Sequence, residues 1–184
     1  MSQDQPSLTQ ALKQSRVLYT QSTLDACIKR MGVEIDAALA GQGAIFITVM
    51  NGALVFAGHL AIAIDSPLQF DYVHATRYHS GTEGKQLEWL RRPAVDMQGR
   101  NVILVDDILD EGHTLKAVRD ACIEAGADRV LVAALCVKRL ARRGVAIEAD
   151  FHGVEVPDAY VFGFGMDYHE QGRNLPDIHI MDAA

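Results

Sequence analysis

Residues 102–115 read VILVDDILDEGHTL, and this stretch decides the fold. Val102, Ile103, Leu104 and Val105 form a short apolar run, which predicts a buried strand that stops at two carboxylates, Asp106 and Asp107. A short acidic loop follows with Asp110, Glu111 and Gly112, and Thr114 then opens an amphipathic helix over 114–125 that ends at Gly126. Amides at the start of a helix lack internal partners and lie at the positive end of its dipole, so they suit a phosphate. Gly112 lets the backbone approach an anion closely, and Thr114 adds a hydroxyl donor. The paired carboxylates either hold a cation or accept hydrogen bonds from the two hydroxyls of a ribose. A loop that joins both features is a site for a sugar phosphate. The competing reading makes Asp106, Asp107 and Asp110 helix-capping and turn residues. The full ordered series of strand, carboxylates, glycine and hydroxyl favours the ligand site.

Outward from this stretch, apolar strands alternate with helices. Leu24, Ile28, Met31, Ile35 and Leu39 recur at helical spacing and predict a helix over 24–40, ended by Gly41 and Gly43. Ala44–Met50 reads as a buried strand, 53–64 as a buried helix and Leu68–Arg77 as a second strand. Residues 78–87 are polar, contain Gly81 and Gly84, and predict a long mobile loop. Further strands are expected over 130–137 and 160–164. The alternation indicates an α/β fold with a mainly parallel central sheet, in which ligands bind outside the carboxyl ends of the strands.

The bulk properties agree. A chain of 184 residues with 49% hydrophobic and 22% charged residues suits one domain over 1–184 with a substantial core. The formal net charge of −7 opposes general nucleic-acid binding, which needs a basic face, but not a local phosphate site. Three widely spaced cysteines, Cys27, Cys122 and Cys136, argue against a disulfide framework or a zinc site and for a cytoplasmic setting. Residues 1–10 are polar, and no apolar run reaches the length of a membrane span.

The series VILVDDILDEGHTL resembles the phosphoribosyl pyrophosphate signature of the type I phosphoribosyltransferases and fills each of its defined positions. LCVKR from Leu135 and DFHGVEVPDAYVFGFGMDYHEQGRNL ending at Leu175 are similar to the purine branch, the hypoxanthine-guanine phosphoribosyltransferases. The resemblance spans roughly 45–184 and implies a core over about 40–150, with a small hood from about 1–20 and 151–184. It implies transfer of the phosphoribosyl group to hypoxanthine or guanine, with magnesium as cofactor and a homodimer or homotetramer as the assembly. Asp106 and Asp107 would face the ribose hydroxyls, directly or through metal. Asp110 would be the catalytic residue near purine N7. The amides from Asp110 through Glu111, Gly112 and His113 to Thr114 would cradle the 5-phosphate. Lys138 would donate to the 6-oxo oxygen, Tyr160 would stack on the purine, and Val161 would meet the base edge. Asp167 would lie near the base and the metal, and Arg173 would contact pyrophosphate. A lysine ammonium only donates, so it favours a 6-oxo purine over adenine.

Two positions depart from the family pattern. Asn51-Gly52 stands where relatives often carry a basic residue before glycine, leaving pyrophosphate to backbone groups, Arg173 and magnesium. The expected mobile loop follows Arg77-Tyr78, where many relatives have serine-tyrosine; Tyr78 can cover the reacting centre and Arg77 adds positive charge. Two alternatives remain at this level. One is a xanthine-preferring transferase. The other is a regulatory protein of the same fold that binds nucleotides or RNA, which the acidic balance opposes.

Overall fold

The computed structural model describes residues 7–77, 87–139 and 145–181. Tyr78 and nearly all of the expected mobile loop lie outside the described residues, as does the Arg77 side chain. In chain order the elements are α1 (Leu8–Lys13), β1 (Ser15–Tyr19), α2 (Gln21–Leu39), β2 (Ala44–Met50), α3 (Leu54–Ala61), β3 (Leu68–Arg77), β4 (Leu87–Arg91), β5 (Asn101–Leu109), α4 (His113–Glu124), β6 (Arg129–Arg139), β7 (Phe151–Pro157), β8 (Val161–Phe162) and β9 (Ile178–Met181).

Six strands form the main sheet in the order β4-β3-β2-β5-β6-β7. Every neighbouring pair is parallel except β3 with β4. Both faces are covered, as a parallel sheet requires. On one face the stripe Leu24, Ile28, Met31, Ile35 and Leu39 of α2 packs with Phe56 and Leu60 of α3 against Phe46, Ile103 and Val105. On the other, Leu115, Val118 and Cys122 of α4 pack against Ile45, Leu104 and Val132. Each fully buried side chain of this kind contributes about 1.5–3 kcal/mol relative to exposure. Gly32 lets α2 lie close against the segment after α3: a Cβ there would lie 2.1 Å from the Ala63 carbonyl oxygen.

Strand order runs one way from β2 to β3 and the other from β2 to β5, which makes the carboxyl ends of β2 and β5 a topological switch point. The two segments after these strands, 51–53 and 110–112, therefore open into the same crevice. The smaller sheet, β1-β9-β8, is antiparallel and joins both ends of the chain.

Several expectations are corrected. The strand expected to stop at Val105 continues to Leu109, because β6 keeps pairing with it through Asp106↔Ala134, Ile108↔Cys136 and Leu109↔Val137. Asp106 and Asp107 thus lie within a strand rather than past one. The inward-outward alternation slips at these carboxylates: Val105 and Ile108 face α2 and α3, whereas Leu104 and Leu109 face α4. Helix α4 starts at His113 rather than Thr114. Helix α2 starts at Gln21, where the Thr20 side chain accepts from the Thr23 amide, and ends at Leu39, capped by Ala40, itself left-handed with φ of 50°. Helix α3 is shorter than expected and not buried all round, since Leu54 is 58% exposed. Leu87 begins a strand, not the end of a loop. Of the segment 151–184 expected in the hood, β7 belongs to the main sheet, where it extends the parallel series beyond β6.

Candidate active site

The site grows from the ends of β2, β5, β6 and β7. An open cleft of about 220 Å³ is lined by Asp107, Ile108 and Asp110 from β5 and its following turn, Lys138 from β6, and Ala159, Tyr160, Val161, Met166 and Asp167 beside β8. The fold thus brings Asp107, Asp110, Lys138, Tyr160, Val161 and Asp167 to one cleft, although they are spread over 61 positions of sequence from 107 to 167. Ile108, Ala159 and Met166 were missed by sequence reasoning, because an apolar wall residue carries no chemical signal of its own.

Asp107 lines the cleft, and Asp106 precedes it on β5 without lining it. Asp106 accepts a hydrogen bond from the Asp107 amide at 3.0 Å, and Asp107 accepts one from the Ile108 amide at 2.9 Å. Burial, and then the neighbouring charge of Asp107, pushes the Asp106 carboxyl well above the ordinary range. Burial also raises Asp107, against hydrogen bonds and the Arg173 guanidinium, which lower it. Two adjacent carboxylates of this kind suit a cation or sugar hydroxyls. Gly52 backs directly onto it: a Cβ there would come within 2.0 Å of Asp107 Oδ2. The peptide bond between Met50 and Asn51 that leads into this turn is cis, and the Asn51 residue is exposed.

This electrostatic arrangement has a consequence for stability. The folded chain holds a proton on Asp106 more tightly than the unfolded chain does, so its stability falls as pH rises from the ordinary carboxylate range through the raised folded value. Asp106→Asn removes that opposition while keeping an oxygen acceptor for the Asp107 amide. Thermal melts at pH 7.5 are expected to show the variant about 2–4 °C more stable, the shift that ~1 kcal/mol gives a domain of this size. A lower midpoint would mean that the ionised pair stabilises the fold.

Past β5, Gly112 caps α4 with φ of 76° and, having no side chain, makes no side-chain cap of its own. The cap residue is thus a glycine, and Asp110 is not the cap that the competing reading required. A Cβ on Gly112 would meet Ile147 Cγ2 at 2.9 Å, so both its φ and its surroundings favour glycine. Thr114 lies in the first turn, while the exposed His113 side chain faces Glu111, with Nε2 to Oε2 at 3.8 Å.

Lys138 Nζ donates to Asp110 Oδ2 at 2.8 Å, which places the two beside each other at the cleft wall. Tyr160 is 48% exposed and donates its hydroxyl to the Asp167 carbonyl at 3.1 Å. Burial and the Asp167 charge raise the Tyr160 phenol above its usual range. Arg173 binds Asp167 at 2.8 Å and donates to the Gly165 carbonyl at 2.9 Å. Gly165 in turn packs on the Asn51-Gly52 turn, since its Cβ would meet the Gly52 carbonyl oxygen at 2.1 Å. Arg173 and Asp167 are thus tied into the same crevice, each about 30% exposed, rather than forming an isolated surface pair.

Comparisons with known proteins agree with this geometry. The family described as phosphoribosyl transferase domain matches residues 14–171. The chain is 33% identical over 167 residues to the hypoxanthine-guanine phosphoribosyltransferase of Streptococcus pneumoniae, covering 90% of this chain and 92% of that one. A relative of the same name from Streptococcus agalactiae is also 33% identical over 167 residues, with the same coverage. Among solved structures, a hypoxanthine phosphoribosyltransferase from Staphylococcus aureus superposes with a TM-score of 0.86 at 26% identity, covering 97% of both chains. A hypoxanthine-guanine phosphoribosyltransferase from Bacillus anthracis gives 0.82 at 28% identity, over 90% of this chain and 97% of that one. With its acidic strand end, glycine-capped helix and cleft assembled as they are, the chain belongs to the phosphoribosyl transferase domain family.

Proposed function

We propose that the protein transfers the 5-phosphoribosyl group of phosphoribosyl pyrophosphate to hypoxanthine or guanine, forming IMP or GMP and releasing pyrophosphate. The observation that carries this reading is the contact of Lys138 with Asp110 in the wall of a cleft that also holds Tyr160 and Asp107. Lys138 supplies a donor for a 6-oxo group, Asp110 an acceptor for the N7 proton, and Tyr160 a face for the ring. Val161 offers its backbone to the far edge of the base. Asp106 and Asp107 serve the ribose hydroxyls, and the start of α4 from Asp110 to Thr114 serves the 5-phosphate.

In the reaction the bond between ribose C1 and pyrophosphate breaks and a bond from C1 to purine N9 forms. Positive charge builds on the sugar in an oxocarbenium-like transition state, as in glycoside chemistry. As N9 attacks, the N7 proton passes to Asp110. Asn51, Gly52 and Arg173 would face the departing pyrophosphate, and by the resemblance Tyr78 would cover the reacting centre against water while Arg77 adds positive charge. The residues fit magnesium: Asp106 and Asp107 are adjacent carboxylates on β5, and Asp107 and Asp167 line the same cleft. Among the described residues no group of three or more such ligands is gathered, so substrate phosphates would have to supply the ion's remaining ligands. When bound, the ion neutralises charge on the leaving group.

The test is to incubate the protein with magnesium, phosphoribosyl pyrophosphate and each of hypoxanthine, guanine, xanthine and adenine, and to measure nucleotide. Product with hypoxanthine or guanine and none with adenine is the expected result. Tight phosphoribosyl pyrophosphate binding without product from any base would overturn the transfer reading and favour the regulatory one. The same assay checks the Asn51-Gly52 turn. Gly52→Ala forces Asp107 out of place and is expected to lower kcat/KM roughly tenfold, since small displacements of positioning groups are costly. Wild-type kinetics in that variant would show that the carboxylate has room to shift.

The reading includes a homodimer or homotetramer in the cytoplasm, acting on small molecules and not on nucleic acid. The free state of Cys27, Cys122 and Cys136 supports the reducing compartment. No described helix is long and apolar enough to cross a membrane.

A further inference from the structure

The carboxyl ends of β5, β6 and β7 lie side by side, and their residues form a row of alternating charge. Asp110 follows β5, Lys138 lies near the end of β6, and Asp158 follows β7. Register sets the row, because Leu109 pairs with Val137 and Lys138 pairs with Val156. Lys138 Nζ sits 2.8 Å from Asp110 Oδ2 and 3.6 Å from Asp158 Oδ1. The Lys138 side chain is only 17% exposed, against 48% for Asp110 and 67% for Asp158. The ammonium is therefore the member of the row most removed from water, and it needs an anion beside it at every stage.

Resting on the phosphoribosyl-transfer reading, the row meets a conflict during the reaction. Asp110, whose Oδ2 holds Lys138 in the free protein, also takes the N7 proton, and once protonated it no longer offers Lys138 a negative charge. Lys138 must also turn toward the 6-oxo oxygen. Moving off Asp110 would leave a largely buried ammonium without a full counter-charge. We propose that Asp158 is a positioning residue for Lys138, taking over its ammonium as Asp110 turns to the base. An ammonium has three donors, so one can reach Asp158 while another reaches the base. Asp158 is not among the residues that line the cleft, and its contact with the site is the one to Lys138.

The magnitudes say where the effect shows. In the free protein Asp158 is an exposed second partner at 3.6 Å, and such pairs add little to folding stability. Its role appears only when Asp110 is engaged, so it affects capture of the base and not binding of phosphoribosyl pyrophosphate. The experiment compares wild type, Asp158→Asn and Asp158→Glu with magnesium, varying hypoxanthine and phosphoribosyl pyrophosphate in turn. Asp158→Asn is expected to raise the KM for hypoxanthine roughly three- to fivefold, the upper range for such a pair, with the KM for phosphoribosyl pyrophosphate and the Tm unchanged. Asp158→Glu is expected to return the hypoxanthine KM toward wild type. An unchanged hypoxanthine KM in Asp158→Asn, an equal rise for both substrates, or no recovery with glutamate would overturn the proposal. Wild type that forms no nucleotide would instead remove the transfer reading on which the proposal rests.

Discussion

Asp110→Asn is expected to lower kcat with hypoxanthine by about 10²–10⁴-fold, the usual range for loss of a positioned proton acceptor. The affinity for phosphoribosyl pyrophosphate should change by less than about threefold, because the amides after β5 remain in place. The substitution is nearly isosteric, and the asparagine oxygen can still accept from Lys138, now 2.8 Å from Asp110 Oδ2. What it cannot do is take a proton from N7 as N9 attacks. Asp110 is only partly buried and does not cap α4, so the fold loses little with the charge. Pre-steady-state turnover and equilibrium binding, measured on the same preparation, separate the two effects. Weakened phosphoribosyl pyrophosphate binding with unchanged turnover would assign Asp110 to the phosphate cradle and leave the proton without an acceptor.

How legible this site was in the sequence follows from the length over which each signal acts. The signature around Asp106, Asp107 and Gly112 is continuous, so its chemistry could be read before any fold was known. The central strands were legible for a related reason: β2, β5 and β6 are buried on both faces and read as unbroken apolar runs. The carboxyl extension of β5 was not. Its register with β6 continues past the apolar run through two carboxylates, and only the partner strand reveals that pairing. The strands β1, β7 and β9 were missed because they are short or have mixed patterns. β7 alternates imperfectly with His152 and Glu155 exposed at the sheet edge. β1 and β9 have five and four residues and pair with each other across nearly the whole chain. Helix α1 had a readable signal: Ser7 and Gln10 form a capping box, but the six-residue helix that follows is too short for periodicity. Asp158 illustrates the same limit at the site. It follows Pro157 in sequence as an ordinary turn acid and gains its place only when β7 aligns beside β6.

The second large effect belongs to the other end of the same contact. Lys138→Gln is expected to reduce kcat/KM for hypoxanthine roughly 10- to 100-fold, the loss of one hydrogen bond from a charged group. Glutamine carries both an amide donor and a carbonyl acceptor, so it can face either a 6-oxo or a 6-amino group. The ratio of hypoxanthine to adenine turnover should therefore fall more than the hypoxanthine rate alone predicts, through a gain on adenine. Charge bookkeeping points the same way. Removing the ammonium leaves Asp110 and Asp158 facing each other across the end of β6 without a cation between them. Asp110 then serves the N7 proton without competition, so the chemical step itself should suffer less than base recognition. Steady-state assays with both bases at saturating phosphoribosyl pyrophosphate decide between these contributions. A large fall in hypoxanthine activity with the base ratio unchanged would mean that Lys138 holds Asp110 in place and does not read the 6 position. A collapse of the ratio would make the terminus of β6 the element that selects the purine, and the β5 terminus beside it the element that moves the proton.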